Sequence, residues 1–181
     1  MQAADGGSVY LRLSTRSIVQ VARDSLNWQA DALKGAYWLR QPAHGTSLAI
    51  AYCGAIAPEA LAAWERLLDD IPGAGLLAIT SPDLLHRDWS AANARRWTGG
   101  NRQLSHIETI LAPLAADAGI VTLIDGSPAA LSWLGSVRGQ RVSPLGVDRF
   151  GQTGDLIDLY RTYRLDPEAV IDAAAEIVLS A

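Results

Sequence analysis

Along most of the chain, short apolar runs alternate with longer stretches in which apolar residues recur three or four positions apart, the pattern of helices laid on a buried sheet. The first part departs from this pattern. Residues 8–14 (SVYLRLS) alternate strictly, with Val9, Leu11 and Leu13 to one side and Tyr10 and Arg12 to the other, and predict a strand with two different faces. Thr15 to Lys34 shows no clean period and predicts a linker with a helical turn, the place for any domain boundary the chain contains.

Beyond Lys34, Gly35–Arg40 (GAYWLR) and Ser47–Cys53 (SLAIAYC) predict two strands. Pro42, His44 and Gly45 between them suit a hairpin-like reversal, so one antiparallel strand is expected. After Gly54, an early Pro58 and the helical spacing of Ala60, Leu61, Trp64, Leu67 and Leu68 predict a helix that Pro72 stops. Gly75–Thr80 predicts a buried strand, followed by a Ser81-Pro82-Asp83 turn. Residues 84–103 are the most polar of the chain and predict a long excursion above the strand ends. Ser105 with Glu108 three residues on reads as a capping box, opening a helix that carries Ile107, Ile110, Leu111 and Leu114.

A strand over Ile120–Ile124 follows, then a helix from Ser127-Pro128 with Leu131, Trp133 and Leu134, then a short strand over Val142–Leu145 despite Pro144. The Gly-rich turn GVDRFGQTG precedes two closing helices over residues 155–163 and 167–179, the second capped by Asp166. The expected fold is a three-layer α/β/α domain: a mixed five-stranded sheet, one strand antiparallel, with helices on both faces. No internal repeat interrupts it.

Composition narrows the function classes. The 181 residues are 49% hydrophobic and 19% charged, which excludes a disordered chain and suits one medium domain, with or without a short piece of another. The net charge of −4, with fourteen scattered Arg and only Lys34, argues against an electrostatic nucleic-acid binder. One cysteine, Cys53, excludes an internal disulfide and a cysteine-rich zinc site and fits a reducing compartment. There is no run of signal-peptide type and none of membrane-spanning length, so the expectation is a cytoplasmic protein that does not engage a membrane.

Candidate chemistry is sparse. No G-x-S-x-G elbow exposes a serine nucleophile, and His44, His86 and His106 form no ligand array with nearby carboxylates, so no metal site and no catalytic residue is expected. Gly73-Ala74-Gly75 precedes a strand, whereas a dinucleotide fingerprint follows one. Gly54-Ala55-Ile56 and Gly126-Ser127-Pro128 do lie between strand and helix, but with so few glycines they read as simple turns. Cys53 reads as a small buried hydrophobe. Trp38, Trp64 and Trp133 fall on predicted core faces. Trp89 and Trp97 flank arginines, which suits either a subunit or domain interface or Arg packing on Trp within the chain.

The order of segments carries a resemblance. SLAIAYCGAIAPEALAAWERL, GLLAITSPDLLHRDW, GIVTLIDGSPAALSWL and LGVDRFGQTGDLIDLYRTYRLDPEAVIDAAAEIV together resemble the C-terminal domain of the transketolase family of thiamine diphosphate enzymes, over roughly Leu33 to Leu179. The turn GVDRFGQTG is similar to the family's G-x-D-x-F-G-x-S, with Thr153 in place of Ser. TSPDLLHRDWSAANARRW is similar to the T-S-x-x-E-L-x-R-D-G segment, with its trailing Arg-Trp, of single-chain bacterial pyruvate dehydrogenase decarboxylating components, Asp83 and Trp89 standing where other residues are usual.

The resemblance implies that residues 1–32 are the end of a pyrimidine-binding domain plus a linker and that residues 33–181 are the C-terminal-like domain. It further implies a parent that uses thiamine diphosphate and magnesium on its preceding domains, acts as a homodimer and hands an acyl unit to a lipoyl acyltransferase. No G-D-G followed at 25 to 30 residues by Asn-Asn occurs here, so this chain alone is expected to bind no cofactor and to be inactive. Asp148, Phe150, Gly151 and Thr153 are singled out as the family turn, and Arg87, Trp89, Arg96 and Trp97 as an interface. Ketol transfer, as in transketolase, is the alternative reaction. A free-standing, non-enzymatic module that binds an anionic effector or a partner is the third reading.

Overall fold

A computed structural model of the chain describes residues 14, 16–23, 28–99, 103–149, 151 and 153–180. The strand expected over residues 8–14 lies outside these, save for its last residue. Five strands form one sheet: β1 (Ala36–Arg40), β2 (Thr46–Cys53), β3 (Gly75–Ile79), β4 (Leu114–Ile124) and β5 (Arg141–Leu145), in the spatial order β1-β3-β2-β4-β5. β1 runs antiparallel to β3, and every other pairing is parallel. The α/β/α fold with a mixed five-stranded sheet is therefore the one the pattern implies.

The antiparallel strand is present, but not as a hairpin. β1 pairs with β3, and β3 lies between it and β2. Residues 41–45 thus cross two strand spacings, about 10 Å, well within the reach of five extended residues, about 17 Å. The bonds of Ala43 N–H to the Gly73 carbonyl and of Gly45 N–H to the Pro113 carbonyl fasten this crossing to the ends of neighbouring elements.

Alternation along the strands separates two cores. Tyr37, Leu48, Ile50, Tyr52, Leu76, Val121 and Leu123 face one side, where α1 (Trp28–Ala32), α2 (Ala57–Leu67) and α8 (Pro167–Leu179) pack, together with Tyr160 of α7 (Leu156–Thr162). Trp38, Ala49, Ala51, Leu77, Ile79, Ile120 and Ile124 face the other, covered by α3 (Pro82–Trp97), α4 (His106–Ile110), α5 (Ala129–Ser132) and α6 (Gly135–Arg138). Close approach is made possible by small residues: a Cβ on Gly119 would stand 2.6 Å from Ile177 Cγ2 of α8, and one on Gly75 would stand 2.7 Å from Trp38 Cζ3.

The excursion expected over residues 84–103 is instead mostly helix. α3 opens on Ser81, whose side chain accepts from the Leu84 N–H, with Pro82 in its first turn. Only Leu85 and Ala92 on it are buried, seven residues apart, so its apolar stripe is too thin to stand out among the charges. The helix expected from Ser127 is two short helices, α5 and α6, burying Leu131 and Leu134. β4 starts at Leu114 rather than Ile120, because Leu114 pairs with Thr46 while Ala115–Asp117 run along the more open rim of the sheet.

Candidate functional site

The expected turn follows β5 at the carboxyl edge of the sheet. Gly146 is buried, and a Cβ there would lie 2.6 Å from the Gly126 carbonyl oxygen and 2.8 Å from Pro128 N. Backbone on both sides forces glycine. Val147 N–H donates to the same Gly126 carbonyl at 2.7 Å, so the turns after β4 and β5 are locked together. Past this lock the turn opens to solvent: the Asp148 and Arg149 side chains are exposed and pair with each other at 3.5 Å, and Thr153 is exposed. Gly151 has φ +105°, a conformation side chains disfavour. Phe150 lies outside the described residues. Tyr163 Oη donates to the Arg149 carbonyl at 2.9 Å and Asp155 caps α7, so the turn is tied to the closing helices.

The four residues expected at an interface all sit on α3 but not on one face. At 100° per residue, Trp89 and Arg96 fall about 20° apart, and Arg87 about 180° from Arg96. Trp89 turns inward: its ring stacks on Trp133 at 5.4 Å, and His86 meets Trp133 edge-on at 5.0 Å. Arg96 also turns inward, to form a 2.9 Å ion pair with Glu108 of α4, and it donates to Asn93. Arg87 is exposed, and Trp97 is 91% exposed. Arg87 and Trp97 are therefore the two of the four that face away from the molecule.

The Glu108 carboxylate is engaged at both oxygens. Its Oε2 accepts from Ser105 N at 2.7 Å and from Ser105 Oγ at 2.6 Å, completing the capping box, while Oε1 faces Arg96. Burial by itself would raise this carboxyl. The hydrogen bonds from Ser105 and Arg96 outweigh it and hold Glu108 below its ordinary value. Next to it, His106 Nε2 lies 2.9 Å from the Ala36 carbonyl, and the His106 backbone N–H donates to Asp88 of α3. α3, α4 and β1 are thus joined by polar contacts.

A third cluster escaped the sequence reading. Arg16 donates to Glu59 of α2 at 3.0 Å and lies over the ring of Tyr160 on α7. Burial, with the negative charges of Asp125 and Glu59, pushes the Tyr160 hydroxyl upward. Arg16, Glu59 and Tyr160 are 43 or more positions apart in the chain, and only the sheet's carboxyl edge brings them together. His86 and Trp133 likewise come together from distant parts of the chain. Of the tryptophans expected in the core, Trp38 is buried, while Trp64 and Trp133 are half-buried and donate Nε1–H to the Ala74 and Ala130 carbonyls. Cys53 is half-buried at the end of β2.

Magnesium and a diphosphate would need carboxylate and amide oxygens converging near a helix start. Among the described residues, no three of His, Cys, Asp or Glu converge on such a point. α2 begins at Ala57, preceded by Ile56, which offers no side-chain cap, and carries Glu59 in its first turn, whose charge opposes a diphosphate. The start of α2 is therefore poorly suited to holding a diphosphate.

No family model matches the chain, and no curated protein matches it. Solved structures do. A transketolase from Leishmania mexicana superposes with a TM-score of 0.58 at 16% identity, over 83% of this chain and 19% of that one. A split gene transketolase, described as an inactive β4 tetramer, gives 0.55 at 17% identity, over 81% of this chain and 43% of that one. The Campylobacter jejuni transketolase gives 0.54 at 14% identity, over 83% and 19%. The fold is transketolase C-terminal-like. This chain spans less than half the length of each of these three proteins.

Proposed function

We propose that this chain is the C-terminal domain of a thiamine diphosphate-dependent 2-oxo acid dehydrogenase of the pyruvate type. In this role it carries no reacting group, buttresses the cofactor-binding domains that precede it and contributes to a homodimer contact. The observation that supports the reading is a transketolase-like fold spanning about a fifth of transketolase chains. The pyruvate assignment rests on TSPDLLHRDWSAANARRW, which begins at Thr80, two residues before α3, and runs through the whole of that helix. Decarboxylation belongs to the preceding domains, and a lipoyl acyltransferase is the expected acyl acceptor. The Arg87 and Trp97 side chains, turned outward on α3, are the proposed contributors to the subunit contact.

Ketol transfer is the second reading, favoured by the likeness to several transketolases. The test is made on the native polypeptide, captured from its source cells with an antibody to this domain and supplied with thiamine diphosphate and magnesium. Ferricyanide reduction with pyruvate, absent with pentose phosphates, is the expected result. Pentose-phosphate activity without pyruvate oxidation would move the assignment to transketolase. A native polypeptide no longer than these 181 residues would overturn both.

A further inference from the structure

We propose that residues 16–23 form a strap, fastened to the domain at each end by one arginine, that fixes where the chain enters the fold. The segment adopts neither helix nor strand, and Val19 at its middle is 89% exposed. Beneath it lies an open groove of about 560 Å³ against α2, lined by Ile18, Val21, Ala57, Pro58 and Leu61, so apolar packing alone fills the contact only in part. Its ends are held differently.

At the first end, one Arg16 nitrogen reaches both oxygens of Glu59, at 2.9 and 3.0 Å. The Glu59 side chain is only 13% exposed and that of Arg16 29%, so this pair is better shielded than an ordinary surface pair. The same guanidinium lies 5.8 Å from the centre of the Tyr160 ring. At the second end, Arg23 donates from Nε and Nη2 to the Tyr37 hydroxyl at 3.1 and 3.0 Å. Its guanidinium also stacks 4.3 Å over Trp28, which in turn packs against Tyr37 at 5.2 Å. One clasp joins the strap to α2 and α7 and the other to α1 and β1. Both guanidinium groups meet an oxygen and an aromatic face together, a use to which arginine is suited and lysine is not.

The clasps therefore anchor the chain at two points on one side of the sheet, with Arg16 at the carboxyl edge beside the start of α2. This arrangement is a property of the 181-residue chain and holds whichever reaction the parent performs. Trypsin tests it directly, because it cuts after Arg16 and Arg23 only when the residues flanking those bonds detach from the body. In Glu59→Ala, cleavage after Arg16 is expected to quicken at least ten-fold, and in Tyr37→Phe cleavage after Arg23 is expected to do the same. Cleavage after Arg138, on the opposite face, serves as the control and stays unchanged. Glu59→Gln, which keeps the side-chain shape, is expected to behave as Glu59→Ala does. Unchanged rates at Arg16 and Arg23, or an equal rise at Arg138, would overturn the proposal.

Discussion

Glu108 shows how one residue can carry several elements at once. It was marked by its spacing from Ser105, and the capping box formed as that spacing requires. Its second role, as the partner of Arg96 on α3, is a tertiary one. Removing the charge in Glu108→Gln is expected to cost about 1–3 kcal/mol, because Arg96 loses a charged acceptor and the cap weakens. The folded carboxyl titrates below its ordinary value near 4.5, so its stabilisation is present above that value and is lost as the pH falls through the lower folded one. Urea unfolding at neutral pH and at about pH 3 should show a drop in the wild type that is smaller in Glu108→Gln. Arg96 illustrates what could not be read from residue type: an arginine beside a tryptophan suggested an outward contact, yet its carboxylate partner lies twelve residues away across the α3–α4 connection.

At the scale of elements, α3 is the least obvious part of the fold. A helix with two buried residues depends on them heavily. Leu85→Ala is expected to lower stability by about 2–5 kcal/mol, read as a lower thermal midpoint, and to loosen α3 before the rest. Hydrogen exchange localised to residues 82–97 would show this. The turns after β4 and β5 behave as a single unit. Gly146→Ala would drive a methyl group into the Gly126 carbonyl and Pro128, backbone that has no rotamer to give, at an expected cost of about 1–3 kcal/mol. Denaturant melts of the variant against the wild type would measure it. The closing helix α8 was legible to the residue, because Asp166 caps it, Pro167 opens it and Val170, Ala173, Ala174 and Ile177 form a broad apolar stripe. The place of β1 was not legible. Turn residues 42–45 report that the chain reverses, but the strand that pairs with β1 is decided by β3 entering between it and β2.

For the whole molecule, the two hydrophobic faces of the sheet are covered while the outward side of α3 keeps Arg87 and an almost fully exposed Trp97. If the proposed subunit contact uses this side, Trp97→Ser and Arg87→Ser will weaken self-association of the full-length protein at least ten-fold in sedimentation equilibrium and leave its thermal midpoint unchanged, since both side chains are exposed. A lowered midpoint at unchanged association would remove α3 from the contact. Trp89→Ala would act differently, through the loss of its stack on Trp133, and would affect stability first.

Local chemistry alone determined much of this protein: the α/β class, the two-sided burial of the strands, the capping of α4 and α8 and the resemblance carried by the closing turn. These features depend on residues within a few positions of one another, where periodicity, caps and turn residues act directly. The tertiary structure alone decided the neighbour of β1, the helical form of residues 82–97, the inward turn of Trp89 and Arg96, and the meeting of Arg16, Glu59 and Tyr160. Each of these depends on which segments the sheet order and its crossovers place side by side, and residue spacing carries no trace of an ion pair or a ring contact formed across 43 or more positions.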